Sequence, residues 1–145
     1  MIDREVHTEI ARPAPQVYEF VVTNYMQNHP RWDPRLVRSE LTEARAIAVG
    51  ASGVEVRRQM GRETTYNFRV TELASDRVTF DASAGGTKFG AVWAVTPSGS
   101  GSRLTITFHL GMGGPMRLFE PFMKGSVRKE MEQAAQRIKE LVEAS

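Results

Sequence analysis

Between residues 36 and 110 the chain breaks into six short stretches of alternating apolar and polar character, at 36–44, 53–60, 64–73, 77–83, 88–96 and 103–110. This succession constrains the fold more than any other feature. The stretches are divided by Val49-Gly50, Gly61-Arg62, Ser75-Asp76, Gly85-Gly86 and a loop over 97–102 that reads Pro-Ser-Gly-Ser-Gly-Ser. A parallel neighbour needs a crossover of a dozen residues or more, and these links are too short for one. The middle of the chain is therefore an antiparallel meander.

Directly opposed residues of an antiparallel ladder share a face, so the turns predict the pairing. A turn over 84–87 sets Ala82 against Phe89, Phe80 against Ala91 and Val78 against Trp93. Closing Thr96 on Arg103 sets Trp93 against Ile106, Ala91 against Phe108 and Phe89 against Leu110. Both registers yield one apolar face, and the other carries Thr79, Asp81, Lys88, Thr105, Thr107 and His109. The Gly61-Arg62 link leaves a choice. A two-residue turn opposes Tyr66 with Arg57 and puts Glu55 and Arg57 on the face of Tyr66, Phe68 and Val70. A three-residue loop opposes Tyr66 with Val56 and keeps that face apolar. The three-residue version is expected, because the alternative buries two charges. Glu72 has the parity of Tyr66 but stands near a hairpin end, where it reads as solvated.

Helical periods flank the meander. In residues 114–145, Met116, Phe119, Met123, Val127, Met131, Ala134, Ile138 and Leu141 recur every three or four residues, one side of a 3.6-residue helix. Some 28 helical residues would reach about 40 Å. Pro121 interrupts the pattern, so a first turn or two over 116–122 should stand at an angle to a longer straight helix. Met131 onward reads as a spine against the sheet, and residues 116–127 as a wall and gate. At the other end, residues 5–10 alternate as a strand, a short helix begins near Pro15 and fades at Asn24, and residues 25–34, with Pro30 and Pro34, read as a turn or a single helical turn.

This element order, with the entry Ile10-Ala11-Arg12-Pro13-Ala14-Pro15-Gln16-Val17-Tyr18-Glu19-Phe20, Arg31-Trp32-Asp33-Pro34 before the second strand and Gly99-Ser100-Gly101-Ser102-Arg103-Leu104-Thr105 before the last, resembles the START-like, SRPBCC superfamily, in particular its polyketide cyclase/dehydratase-like branch. The resemblance extends over essentially all of residues 1–145 as a single domain. It implies an α+β helix-grip fold: a seven-stranded antiparallel sheet wrapped around the last helix, two short helices between strands 1 and 2, and a ligand cavity between sheet and helix.

The residues that would line such a cavity are Trp32, Tyr66, Phe68, Phe80, Phe89, Ala91, Trp93, Phe108, Phe119, Met123 and Val127. Small Ala82 and Ala91 among large side chains, flexible methionines and the glycines at 85–86 and 111–114 favour an apolar or aromatic ligand over a filled core. The expected partner is a small hydrophobic molecule such as a polyketide, lipid, sterol or quinone-like compound, with no cofactor. The alternatives are a polyketide aromatase/cyclase or dehydratase, and a protein-interaction module without a ligand. No catalytic signature is present. Tyr66 is the best proton donor on the apolar face, His29 is a candidate base at the mouth, and Arg57 or Arg58, depending on register, could hold a ligand carboxylate.

Composition closes off other classes. The absence of cysteine removes thiolate chemistry and cysteine metal sites, and His7, His29 and His109 lack any metal-ligand spacing, so no metal is expected. A formal charge of +2, from basic residues scattered without interleaved aromatics, argues against nucleic acid. No apolar run is long enough for membrane insertion, and the charged start Met1-Ile2-Asp3-Arg4 is unlike a secretory signal, which points to the cytoplasm. Oligomeric state is not legible from these patterns.

Overall fold

A computed structural model describes residues 1–43, 46–59 and 61–145. The expected strand ends at Ala44 and Met60 fall outside the described residues, as does the Met116 side chain. Seven strands are present: β1 (Ile2–Ile10), β2 (Leu36–Leu41), β3 (Ser52–Gln59), β4 (Arg62–Ala74), β5 (Arg77–Ala84), β6 (Thr87–Ser98) and β7 (Gly101–Met112). They form one antiparallel sheet in the order β1-β7-β6-β5-β4-β3-β2. The hairpin links leave each strand beside its successor. Only β1 is paired out of sequence, along β7, because the helical excursion after it carries the chain to the far edge of the sheet.

The excursion holds α1 (Ala14–Tyr18), a π-helical turn (Glu19–Thr23) and α2 (Tyr25–Trp32). Two turns of α2 replace the single turn expected over 25–34. Pro30 lies inside α2 near its C-terminal end, where it removes one backbone donor. Burial of Tyr25, His29 and Trp32, spaced four and three residues apart on one helix side, offsets that loss.

Pairing in the central hairpins agrees with the turns: Phe80 opposes Ala91, Ala91 opposes Phe108, and Trp93 opposes Val78 and Ile106. The β3–β4 register differs from expectation. Gln59 pairs with Arg62, and Tyr66 opposes Glu55 rather than Val56 or Arg57, with Gly61 at φ 75° just before β4. Glu55 and Arg57 consequently share the concave face with Tyr66 and Phe68, the arrangement that had looked too costly. Gly53 opposes Phe68 on that face, and a Cβ at Gly53 would overlap the Phe68 ring and stand 2.5 Å from the Glu40 carbonyl oxygen. Farther along β4 the register shifts by one residue between Val70 and Glu72. The bulge turns Glu72 to the outer face, where it accepts a hydrogen bond from Thr79 at 3.0 Å.

After β7, Gly114 at φ 61° opens a 3-10 segment (Gly114–Phe119), and the chain then enters α3 (Glu120–Glu143). Pro121 sits in the first turn of α3, where its missing N–H costs nothing. The expected break in the helix is thus a change of helix type just before the proline, which is itself unstrained. The C-terminal half of α3 buries Met131, Ala135, Ile138 and Val142. Each of the larger three contributes about 1.5–3 kcal/mol by burial. Glu143 accepts a hydrogen bond from the Ala11 amide at 2.8 Å, and Lys139 donates to the Glu9 carbonyl at 2.7 Å, which fix this half to the end of β1. The N-terminal half is looser. Between Pro121 and Glu130 only Met123, Val127 and Glu130 are as much as half-buried.

Candidate functional site

The concave face has a closed region and an open one. In the closed region, α2 lies over the sheet and its aromatic side chains pack on those of β4 to β6. Tyr25 is 4.7 Å from Phe80 between ring centroids, Trp32 is 5.6 Å from Trp93, and Phe68 meets Phe80 edge-on at 6.0 Å. Trp32, Phe68, Phe80 and Trp93, four of the residues expected to line a cavity, are buried in this packing. Phe20, Tyr25 and His29 complete it.

The open region lies beneath the N-terminal half of α3. Phe89 and Phe108 are stacked at 5.3 Å, Tyr66 meets Phe89 edge-on at 5.1 Å, and Ala91 is buried beside Phe108's strand. Across from them stand Met123 and Val127. Buried apolar residues here divide into the main core and a small separate cluster of Ile2, Leu110 and Met112. Phe89, Phe108 and Val127 touch both clusters while remaining half-buried. Phe119 is placed elsewhere. It is 52% exposed, because the 3-10 winding of its segment breaks the α-helical spacing that would have aimed it inward.

One end of this apolar surface is polar, and its key residues come from distant parts of the chain. His29 is 3% exposed and lies in α2, so it is a buried helix residue rather than an exposed turn histidine. Its Nε2 lies 3.0 Å from Asp33 Oδ2, and its Nδ1, 3.7 Å from Glu55 Oε1, has no hydrogen-bond partner among the described residues. Arg57 grips Asp33 with both terminal nitrogens, Nη2 donating to Oδ1 at 3.3 Å, and its Nη1 is 3.6 Å from Glu55. Arg35 pairs with Glu130 of α3 at 2.6 Å. The His29, Asp33 and Glu55 donor atoms are close enough together to hold a cation. Arg57 takes that place between the two carboxylates, so the arrangement is an ion-pair network as it stands.

This network explains the register. Burial would raise the Asp33 carboxyl, but the His29 hydrogen bond and the Arg57 charge outweigh it and hold Asp33 well below the usual carboxylate range. Burial likewise opposes the Arg57 charge, and Asp33 and Glu55 more than restore it. The two charges that looked too costly on the inner face are thus paired with each other, and Asp33, at the C-terminal end of α2, supplies Arg57 with a second carboxylate. Around them, burial raises Tyr66, which stays a neutral phenol able to donate a proton. Burial also raises Glu130, against the pull of Arg35 and Arg57.

The register thus assigns Arg57, rather than Arg58, to the concave face. Arg58 is exposed and reaches Glu63 at 3.5 Å. Arg57 is engaged by two carboxylates, which leaves Tyr66 as the least committed polar group beside the aromatic wall. Asp33 and Glu130 were not singled out from the sequence as site residues, and Glu55 entered only as a charge that the disfavoured register would bury. The spacing of Tyr25, His29 and Trp32 was the available clue, since it turns His29 inward and brings Asp33 after it. Two open surface hollows lie elsewhere, one of about 390 Å³ between β1 and the 98–102 loop with Lys139, the other of about 170 Å³ between the π-helical turn and Val142. Neither is lined by the aromatic side chains of β4 to β7. Among the described residues no helix is long and apolar enough to cross a membrane.

Residues 1–143 match the family model for polyketide cyclase / dehydrase and lipid transport. No curated protein gave a significant match. Among solved structures, the protein TTHA0849 from Thermus thermophilus is similar with a TM-score of 0.81 and 16% identity, covering 98% of this chain and 97% of that one. A START superfamily protein from Mycobacterium smegmatis is similar with a TM-score of 0.78 and 14% identity, covering 98% and 97%. The di-domain ARO/CYC StfQ from the steffimycin biosynthetic pathway has a TM-score of 0.79 and 13% identity over 99% of this chain and 51% of its own. At these identities the structures speak for the fold, and the family model, which spans nearly every residue, speaks for descent: the chain belongs to the polyketide cyclase / dehydrase and lipid transport family.

Proposed function

We propose that the protein binds a small hydrophobic molecule, of the polyketide, lipid, sterol or quinone-like kind, between the concave face of β4–β7 and the N-terminal half of α3. The observation that carries this reading is the half-exposure of Phe89, Phe108, Met123 and Val127 where two apolar clusters meet. A closed core would bury such side chains, and their partial exposure beneath a loosely packed helix is suited to an apolar guest. The family's association with polyketide chemistry and lipid transport supports the same class of ligand. Titration with a naphthalene-sulfonate dye, and native mass spectrometry of protein purified from its own host, test it. Saturable dye binding that Val127→Trp abolishes, or a retained hydrophobic molecule, is expected. Absence of both would overturn the reading.

A second reading, cyclisation or dehydration of a polyketide, draws on the neutral Tyr66 phenol standing beside Glu55 at the polar end of the aromatic wall. A phenol so placed can donate to a ligand carbonyl while the wall holds the chain in a reactive fold. Tyr66→Phe separates the two readings: an enzyme loses turnover with ligand affinity kept, whereas a carrier shows no turnover to lose.

A further inference from the structure

Burying a hydrogen-bonding group without a partner is costly, so native interiors hold few such groups. Among the described residues, three of them fall on adjoining rings of the closed region: His29 Nδ1, Trp32 Nε1 and Trp93 Nε1. The ring centroids are 5.5 Å apart for His29 and Trp32 and 5.6 Å apart for Trp32 and Trp93. His29 Nδ1 has the Glu55 carboxylate at 3.7 Å, whereas the two indoles have no hydrogen-bond acceptor among the described residues. Tyr25 meets Trp32 and Trp93 edge-on, at 5.8 and 6.0 Å, and a ring face is a weaker acceptor than an oxygen. Packing alone does not call for indoles here, since leucine, isoleucine or phenylalanine fill a core without bringing an N–H.

The two indoles also stand at the end of the aromatic wall. Phe89, Ala91 and Trp93 follow one another along the concave face of β6, and Ala91 has Phe108 across from it on β7 and Phe80 across from it on β5. At about 3.4 Å per residue, Trp93 lies about 14 Å from Phe89 along the strand, with the small Ala91 midway. Resting on the ligand reading above, we infer that a guest stacked on Phe89 and Phe108 extends over Ala91 and offers an uncharged oxygen, of the ketone or quinone carbonyl kind, to the N–H groups of Trp32 and Trp93. One oxygen can accept from two donors, and hydrogen bonds of about 2.9 Å on either side of it bridge a span like the 5.6 Å between these rings. A carboxylate is the wrong head group, because Asp33 and Glu55 already set two negative charges against Arg57 beside His29. An ammonium group has no lone pair to offer the indoles.

The chain has two tryptophans, so a sample labelled with the heavy nitrogen isotope gives two indole N–H resonances, one from each donor. They are followed by NMR during titration with methyl nonyl ketone and with its methylidene analogue, in which CH2 replaces the oxygen. Both indole protons should move downfield with the ketone and keep their positions with the analogue. The ketone should bind about tenfold tighter, although water rejects the hydrocarbon more strongly and a plain apolar site would prefer it. Trp32→Phe and Trp93→Phe, which keep an aromatic ring and drop the N–H, should each lose several-fold in ketone affinity and leave that of the analogue within about twofold. Where a variant fails to fold, the parent titration alone decides. Indole resonances unmoved by bound ketone, or tighter binding of the hydrocarbon, overturn the inference. So does a water molecule in nuclear Overhauser contact with both indole protons of the free chain that stays there with ketone bound, since water is then the acceptor. If neither probe binds, the ligand reading itself falls; if both bind and the indoles stay unmoved, this inference alone falls.

Discussion

Replacing Arg57 with methionine keeps most of the side-chain stem and removes the charge that sits between Asp33 and Glu55. The two carboxylates are 14% and 9% exposed, so solvent cannot take over the role of the guanidinium. Breaking a buried pair from one side costs about 3–5 kcal/mol. At about 2–4 °C per kcal/mol for a chain near this size, the melting temperature should fall by about 10 °C at pH 7. The pH dependence distinguishes an electrostatic cost from lost packing. In the parent, the Asp33 carboxyl is depressed below its unfolded value, so its stabilisation is present above that value, about 4, and is lost as pH falls through the lower folded value. In the variant, the burial of Asp33 is no longer opposed by Arg57, which raises its carboxyl, so the folded state binds that proton more readily and lowering the pH from 7 to 5 should recover up to about 1.4 kcal/mol per unit as it protonates. Urea denaturation of parent and variant at both pH values measures this. A loss under about 1 kcal/mol at pH 7, or a loss of the same size at pH 5, would refute the view that the network holds the β3–β4 register in place.

Gly53→Ala should destabilise by about 1–3 kcal/mol, because the new methyl meets the Phe68 ring and the Glu40 carbonyl at once, and thermal melting will show whether it does. Carboxyl-carbon NMR titration should place the Glu130 midpoint above that of free glutamate and the Asp33 midpoint below that of free aspartate; the reverse order would contradict the burial and pairing assigned to them. Glu120→Gln should speed amide exchange at Met112 and through the 3-10 segment, since it weakens the hold of the Met1 amino group on the roof of the site. Unchanged exchange there would mean that the segment is held by something else.

Much of the architecture follows from local rules. Tight links dictate antiparallel neighbours, and a side-chain period of two settles which residues of β5, β6 and β7 share the apolar face, so Phe80, Phe89, Ala91, Trp93 and Phe108 stand where the pattern puts them. The 3.6-residue period likewise places Met131 and Ile138 of α3 inward. Phe119 departs from that period because a 3-10 segment winds more tightly than an α-helix, and the glycines and proline at its start permit the change. Which aromatics fill the core and which stay half-open was not written in the pattern either, since hydrophobic periodicity assigns a face but says nothing of what is packed on it. There α2 decides, by covering Phe80 and Trp93 and leaving Phe89 and Phe108 to the looser half of α3.

The hairpin of β3 and β4 marks the boundary between the two kinds of information. Local reasoning weighs Glu55 and Arg57 as two charges that an apolar face should reject, and so prefers the register that turns them out. Their burial is tolerated because Arg57 pairs with Glu55 on its own strand and with Asp33, which follows α2 and is itself hydrogen-bonded to His29. The sequence by itself determined the strands, the succession of β2 to β7 and the apolar face of the central hairpins, since these depend on neighbours a few residues away, whereas the seat of β1 along β7 joins residues about a hundred apart. The register of β3 on β4, the polar end of the site and the open aromatic wall were decided by tertiary structure, since the energy of a buried charge depends on partners that only folding brings within reach.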